Sequence, residues 1–300
     1  MDSVLTTVML PVALGVVMLG LGLGLTVADF RRVLIYPKAV LVALACQIVV
    51  LPLVCFGIVL AFDLPTPLAV GMMLLAASPG GTTANLYSHL FGGNVALNIS
   101  LTAVNSVLAV VTLPLVVNLS LGYFTGGGEQ VGLQFDKVLQ VFAIVLLPVL
   151  GGMLVRRYRP GFADRMDRPV RALSVVVLVA VIAGAVISDI DHVAEYFLAV
   201  GLAALAFNVC SLAVGYLVPR LFRVAPAEAG AAAFEIGVHN ATLAIAVALS
   251  PSLLNDAEMA VPAAVYGLLM FFTAAAFGLL LRRVRSREAG EPERTVTEPA

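Results

Sequence analysis

Apolar residues run through this chain in long blocks, separated by short clusters of charge, proline and glycine. Splitting the blocks at those clusters predicts nine helices, near 4–27, 39–62, 66–90, 95–120, 137–155, 170–188, 195–218, 228–249 and 259–281. A helix needs about 20 apolar residues to cross a bilayer, and each block approaches that length. From Leu64 to Gly128 there is no Asp, Glu, Lys or Arg. The pattern predicts an all-α membrane protein with nine transmembrane helices. Most of the blocks contain a proline or several glycines, which membrane helices tolerate because neighbours re-satisfy the backbone.

Composition agrees. The 300 residues are 61% hydrophobic and 12% charged, against roughly a quarter charged in a soluble domain. The net charge is −1 and no basic patch lies outside the loops, so no nucleic-acid partner is expected. Cys46, Cys55 and Cys210 fall in apolar segments, away from any CxxC pair or neighbouring His, and read as small buried thiols. The first 27 residues carry Asp2 in place of a basic leader, and their apolar run is too long for a signal peptide. They are read as the first span.

The basic residues set the orientation. Arg31, Arg32 and Lys38 follow span one, and six arginines between Arg156 and Arg171 join spans five and six. Arg220 and Arg223 follow span seven, and Arg282, Arg283, Arg285 and Arg287 follow span nine. With nine spans these all share one side, and only Lys137 lies opposite. The positive-inside rule makes that side cytoplasmic. The expectation is a multi-pass protein of the bacterial inner membrane, with its N-terminus outside and C-terminus inside. Residues 1–285 form one transmembrane domain. The polar stretch 286–300 is expected to be a disordered cytoplasmic tail.

Two predicted spans are polar at their centres. Span three carries Ser78-Pro79-Gly80-Gly81 followed by Thr82, Thr83 and Asn85. Proline lacks an amide proton and glycine adds backbone freedom, so the helix should break there and restart near Thr82. The new helix N-terminus suits an anion. Span eight carries FEIGVHNAT from Phe234. Glu235 is the only carboxylate in the interior of any span, and no interior Lys or Arg exists to pair with it. An acidic residue at a span centre costs about 3 kcal/mol on insertion scales, which makes it a functional candidate. A bound cation would complement it. Gly237 lets the backbone open beside His239 and Asn240.

In span four, Asn94, Asn98, Thr102 and Asn105 recur at helical spacing and are placed on one face, turned to the bundle interior. Gln47 is the one strongly polar residue of span two. Interhelical adhesion is the plainer reading of these residues, and for Asn105 the preferred one. Spans three and eight occupy matching places in oppositely oriented halves, a pointer to an inverted-repeat secondary transporter with two broken, crossing helices.

The segments SPGGTTANLYSHLFGGNVALNISLT and FEIGVHNATLAIAVAL, with VADF, Gln47 and the late AVPAAVY, resemble the bile acid:sodium symporter superfamily. The resemblance covers nearly residues 10–283. It implies a core of spans two to four and seven to nine (about 39–120 and 195–281) and a panel of spans one, five and six (about 4–27 and 137–188). The implied function is sodium-coupled symport of a small organic anion, bile-acid-like or a small carboxylate, by alternating access, with sodium as the coupling ion, in two sites. One would use Asn85, Asn98, Thr102 and Glu235. The other would use Gln47, Glu235 and the residues around Ile236, Val238 and His239. The substrate would lie near Thr82, Thr83 and Asn240. No obligate protein partner is implied. Ala84 stands where many relatives have Ser, and His239 replaces a Gln, which leaves proton coupling or proton modulation as the alternative. Met270 and Phe271 occupy positions polar in some bacterial relatives, so the substrate is not inherited.

Other classes fit less well. A sodium/proton antiporter would use paired interior aspartates, and an arsenite carrier a cysteine near the break; both are missing here. An intramembrane enzyme would need an Asp-rich motif, HExxH or GxSxG, and none is present. A channel lacks a coupled site.

Overall fold

A computed structural model of the chain describes residues 10–126, 135–166, 190–250 and 253–290, with a few positions between 169 and 176. Among the described residues every regular element is helical. In order they are α1 (Leu10–Gly24), α2 (Val27–Arg32), α3 (Pro37–Ala45), α4 (Leu51–Ala61), α5 (Thr66–Ala77), α6 (Thr82–Leu90) and α7 (Val95–Phe124). They continue with α8 (Phe135–Tyr158), α9 (Ile190–Leu221), α10 (Pro226–Gly237), α11 (Ala241–Leu249) and α12 (Val261–Gly290). A π turn, Cys46–Val50, joins α3 to α4, and a 3-10 turn, Glu258–Ala260, precedes α12. The sixth expected span falls largely outside the described residues. The expected tail begins inside a helix instead, because α12 runs on to Gly290; residues 291–300 lie outside the description.

Four helices among the described residues are long and apolar enough to cross a membrane: Pro37–Ala61, Val95–Phe124, Val200–Leu221 and Glu258–Val284. The faces of α7 show which solvent they suit. Val107, Val111, Leu115 and Leu119 recur every fourth position and are exposed, whereas Asn98, Thr102 and Asn105 on another face are buried. Apolar outside and polar inside is the arrangement a bilayer demands. This is a membrane protein.

One construction occurs twice along the chain. A long helix ends at a residue in the left-handed region, Asp63 (φ 49°) after α4 and Arg223 (φ 58°) after α9. The next residue closes the turn by donating its amide five positions back, Leu64 to the Val59 carbonyl and Val224 to that of Pro219. This is the Schellman way of ending a helix, here without glycine. A 12-residue helix with proline in its first turn follows, α5 in one case and α10 in the other. It breaks, and a nine-residue helix follows, α6 or α11. The bases of the two copies share almost no sequence, so backbone geometry alone carries the likeness.

The π turn has a local cause. Pro52 has no amide to offer the Ile48 carbonyl, and the ladder shifts so that Leu51 donates to Cys46. That widened turn carries Gln47 inward, where it is buried. Elsewhere α1 packs on α8 almost backbone to backbone. A Cβ on Gly22 would strike the Val149 backbone, and one on Gly152 the backbone of Leu19 and Gly22. Small residues permit such close membrane packing. Cys46 and Cys55 are buried, as the sequence implies, and Cys210 is partly buried.

Candidate cation and substrate site at the helix crossing

The two breaks meet. Gly80 and His239 form an isolated antiparallel bridge. Gly81 donates its amide to the Val238 carbonyl at 2.8 Å, and Asn240 donates its own to the Pro79 carbonyl at 2.8 Å. Backbone groups that proline and glycine free from their helices therefore satisfy each other across the crossing, as buried groups must. The Ser78 carbonyl accepts from Gln47 Nε2 (3.0 Å) and from His239 Nδ1 (3.2 Å). Gln47 Nε2 also reaches the Ala76 carbonyl at 3.3 Å.

Glu235 sits on α10 two residues before that helix ends, with 0% of its surface exposed. Thr102 Oγ1 donates to its Oε2 at 2.5 Å, and Asn105 Nδ2 to its Oε1 at 3.2 Å. A Cβ on Gly80 would collide with the Glu235 carboxylate, so glycine is required for the approach. Among the described residues the two ion pairs are Arg32–Asp29 and Arg156–Asp164, and neither involves Glu235.

The face of α7 meets the face of α10 in equal steps. Asn94 donates its backbone amide to the Ala227 carbonyl (2.9 Å), Asn98 Nδ2 donates to Ala231 (2.7 Å), and Thr102 to Glu235. Every fourth residue of one segment touches every fourth residue of the other. Asn94 stands just before α7 and caps it by accepting the Leu97 amide, so it is not part of the in-helix polar face. Asn98 also donates to Ser88 Oγ at 2.9 Å.

Among the described residues, five buried side-chain atoms have no hydrogen-bond partner: Gln47 Oε1, Asn85 Oδ1, Asn98 Oδ1, Asn105 Oδ1 and His239 Nε2. Four are amide oxygens, hard neutral donors of the kind an alkali cation takes. Buried acceptors left unpaired cost about 1–3 kcal/mol each, and two of these belong to Asn98 and Asn105 on the α7 face that meets Glu235, so the site calls for an occupant. The residue set fits sodium.

The other expected residues lie as follows. Ile236 and Val238 are buried, and one lone pair of the Val238 carbonyl is taken by Gly81. The His239 ring packs against Phe207 at 5.5 Å and Tyr266 at 5.4 Å. Asn240 Oδ1 caps α11 by accepting the Leu243 amide at 3.0 Å. Thr82 is the first residue of α6, followed by Thr83; its side chain lies outside the described set.

Sequence reasoning missed some partners. Asn105, read as interhelical adhesion, does join α7 to α10, and the partner not foreseen is the carboxylate itself; the signal was its place on the Asn98–Thr102 face. Asn208 Nδ2 and the Tyr266 hydroxyl both donate to the Gly237 carbonyl at 2.9 Å, and Thr273 Oγ1 donates to Asn208 Oδ1. Nothing in the local sequence signals that network.

A family model described as the Sodium Bile acid symporter family matches residues 11–196. The chain belongs to that family. It is 30% identical over 238 residues to the Bacillus subtilis protein named "Uncharacterized sodium-dependent transporter YocS", covering 78% of this chain and 72% of that one. It is 29% identical over 284 residues to the chloroplastic "Probable sodium/metabolite cotransporter BASS2" of Oryza sativa subsp. japonica, covering 93% of this chain and 65% of the rice protein. It is 25% identical over 258 residues to the human "Ileal sodium/bile acid cotransporter", covering 84% and 73%. These family members are named as transporters, not enzymes, and sodium is common to their names.

Proposed function

We propose that this family member is a secondary active transporter that couples entry of sodium to movement of a small organic anion by alternating access. The observation that carries the reading is Glu235: a fully buried carboxylate with no ion-pair partner among the described residues, bonded to Asn105, whose own amide oxygen is unpaired. A buried charge persists only if something compensates it, and sodium moving through the protein would do so reversibly.

On this reading nine helices cross the inner membrane with the N-terminus outside and the C-terminus in the cytoplasm. The twice-used construction of α4–α6 and α9–α11 is the trace of an inverted repeat, with its binding site at the midplane. Core helices from both halves carry the crossing, and the panel, with α1 and α8, moves against it. Asn85, Asn98, Thr102 and Glu235 hold one sodium. Gln47 and Glu235 hold a second, with Ile236, Val238 and His239 around it. The substrate carboxylate lies at the N-terminal ends of α6 and α11, near Thr82, Thr83 and Asn240, where helix amides and dipoles favour negative charge.

The test is uptake of labelled organic anions into proteoliposomes under an inward sodium gradient, with potassium as control and with Glu235→Gln in parallel. The expected result is sodium-driven uptake by the wild type only. Equal uptake in sodium and potassium by both proteins overturns sodium coupling. Uptake driven by an inward proton gradient without sodium would point to the proton-coupled alternative.

A further inference from the structure

The Gln47 and Asn105 side chains line one small cavity. It lies between the π turn, the Ala77–Pro79 end of α5 and the middle of α7, with Ala109 and Thr112 on its wall. Its volume is about 10 Å³, room for roughly one water-sized particle. Both side chains are 4% exposed. Their nitrogens are committed elsewhere, Gln47 Nε2 to the Ala76 and Ser78 carbonyls and Asn105 Nδ2 to Glu235 Oε1. Those bonds fix both amide orientations, and both oxygens are left without a donor.

We infer that Asn105 is a sodium-binding residue, whose Oδ1 frames with Gln47 Oε1 a one-ion position beside the Glu235 carboxylate. The inference rests on the sodium-coupled reading and deepens it by adding a residue to the second cation position. The two unpaired amide oxygens select an occupant that is positive or that donates twice, and the Thr112 hydroxyl on the wall can turn its own oxygen to either. The Glu235 carboxylate lies one hydrogen bond away, unpaired by any Lys or Arg among the described residues, and in its ionised form it favours the positive one. Asn105 then has two tasks on one side chain. Its oxygen binds the ion, and its nitrogen holds the carboxylate oxygen that neutralises the ion. A water molecule donating to both oxygens is the rival occupant, and it makes sodium binding indifferent to Asn105.

The experiment is equilibrium binding of radioactive sodium to the purified full-length protein in detergent, for wild type, Glu235→Gln, Asn105→Leu, Asn105→Asp and Ala109→Leu. Asn105→Leu keeps the branched shape and removes both the oxygen and the nitrogen that donates to Glu235. Ala109→Leu fills the cavity and leaves the Asn105–Glu235 bond in place, so it carries the test if Asn105→Leu fails to fold. Both are expected to abolish about half of the bound sodium or to raise its half-saturating concentration at least tenfold. Asn105→Asp keeps an oxygen but loses the donor to Glu235, so it is expected to bind sodium still, with a raised half-saturating concentration. Wild-type sodium binding by both Asn105→Leu and Ala109→Leu overturns the inference and leaves the coupled reading intact. Loss in Asn105→Leu with no change in Ala109→Leu also overturns it, because Asn105 then acts only by positioning Glu235. Unchanged sodium binding in Glu235→Gln, or none in the wild type, overturns the coupled reading itself.

Discussion

Thr102 Oγ1 lies 2.5 Å from Glu235 Oε2 and joins the middle of α7 to the broken end of α10. A hydroxyl donating to a buried carboxylate stabilises the charged form and fixes where the charge sits. Hydrogen bonds to charged groups contribute about 1.5–3 kcal/mol, which is roughly a tenfold to hundredfold effect on an equilibrium. Thr102→Val keeps the shape and removes the donor. The expected outcome is a protein that still inserts, with half-saturating sodium for uptake raised by about tenfold or more. Thr102→Ser keeps the donor and is expected to stay within a few-fold of wild type. Equal sodium dependence for the Val and Ser variants would show that the bond does not hold the ion site.

The two glycines of the first break are not equivalent. A Cβ on Gly80 would collide with the Glu235 carboxylate, whereas a Cβ on Gly81 would meet the His239 carbonyl oxygen at 3.4 Å, an ordinary contact. Gly81 also has φ −86°, which alanine adopts freely. Gly80→Ala is expected to lower the thermal unfolding midpoint in detergent and to remove sodium stabilisation. Overpacking of this kind costs about 1–3 kcal/mol. Gly81→Ala is expected to unfold within a few degrees of wild type. Equal midpoints for the two variants would contradict the packing at Gly80.

Sodium should act on folding as any ligand of the native state does. At a concentration one hundred times its Kd it stabilises by about 2.7 kcal/mol. The expected result is an unfolding midpoint that rises with added sodium chloride but not with potassium chloride at equal ionic strength. Asn98→Ala removes one unpaired oxygen and the bonds to Ser88 and Ala231, so it is expected to lower both the baseline midpoint and the sodium increment. A sodium increment of wild-type size in that variant would exclude Asn98 Oδ1 from the ion.

How far these residues are readable from sequence depends on whether their partners are local. The break after Ala77 is legible because proline and two glycines cannot continue a helix, and the restart at Thr82 lies where the sequence places it. Glu235 is conspicuous because a lone carboxylate stands out in an apolar run. Asn94 misled because a spacing of four continues across a helix boundary that only the cap defines. Asn105 was undervalued because its meeting with Glu235 depends on how α7 and α10 register, and no local pattern contains that. The matched turns at Asp63 and Arg223 are not legible as a pair, since Asp enters the left-handed region more readily than most residues but Arg does not, and no glycine marks either turn.

The Gly237 carbonyl supplies the last test, because two helices compete to hold it. Asn208 on α9 and Tyr266 on α12 both donate to it at 2.9 Å. Gly237 is the last residue of α10, two positions beyond Glu235, so these donors fix the end of the helix that carries the carboxylate. Tyr266→Phe removes one donor and leaves Asn208 in place, so its cost in unfolding free energy is expected to be about 0.5–1.5 kcal/mol. Asn208→Ala removes the other donor and also leaves Thr273 without its acceptor on that side chain, so it is expected to cost more. The double variant strips the carbonyl of both side-chain donors and leaves it buried. Residues that share one partner couple, and the coupling is typically about 0.5–3 kcal/mol. The double variant is therefore expected to lose more than the two single losses together, with apparent sodium affinity falling alongside. Strict additivity, with sodium affinity unchanged, would show that the two donors act separately on packing and do not position Glu235.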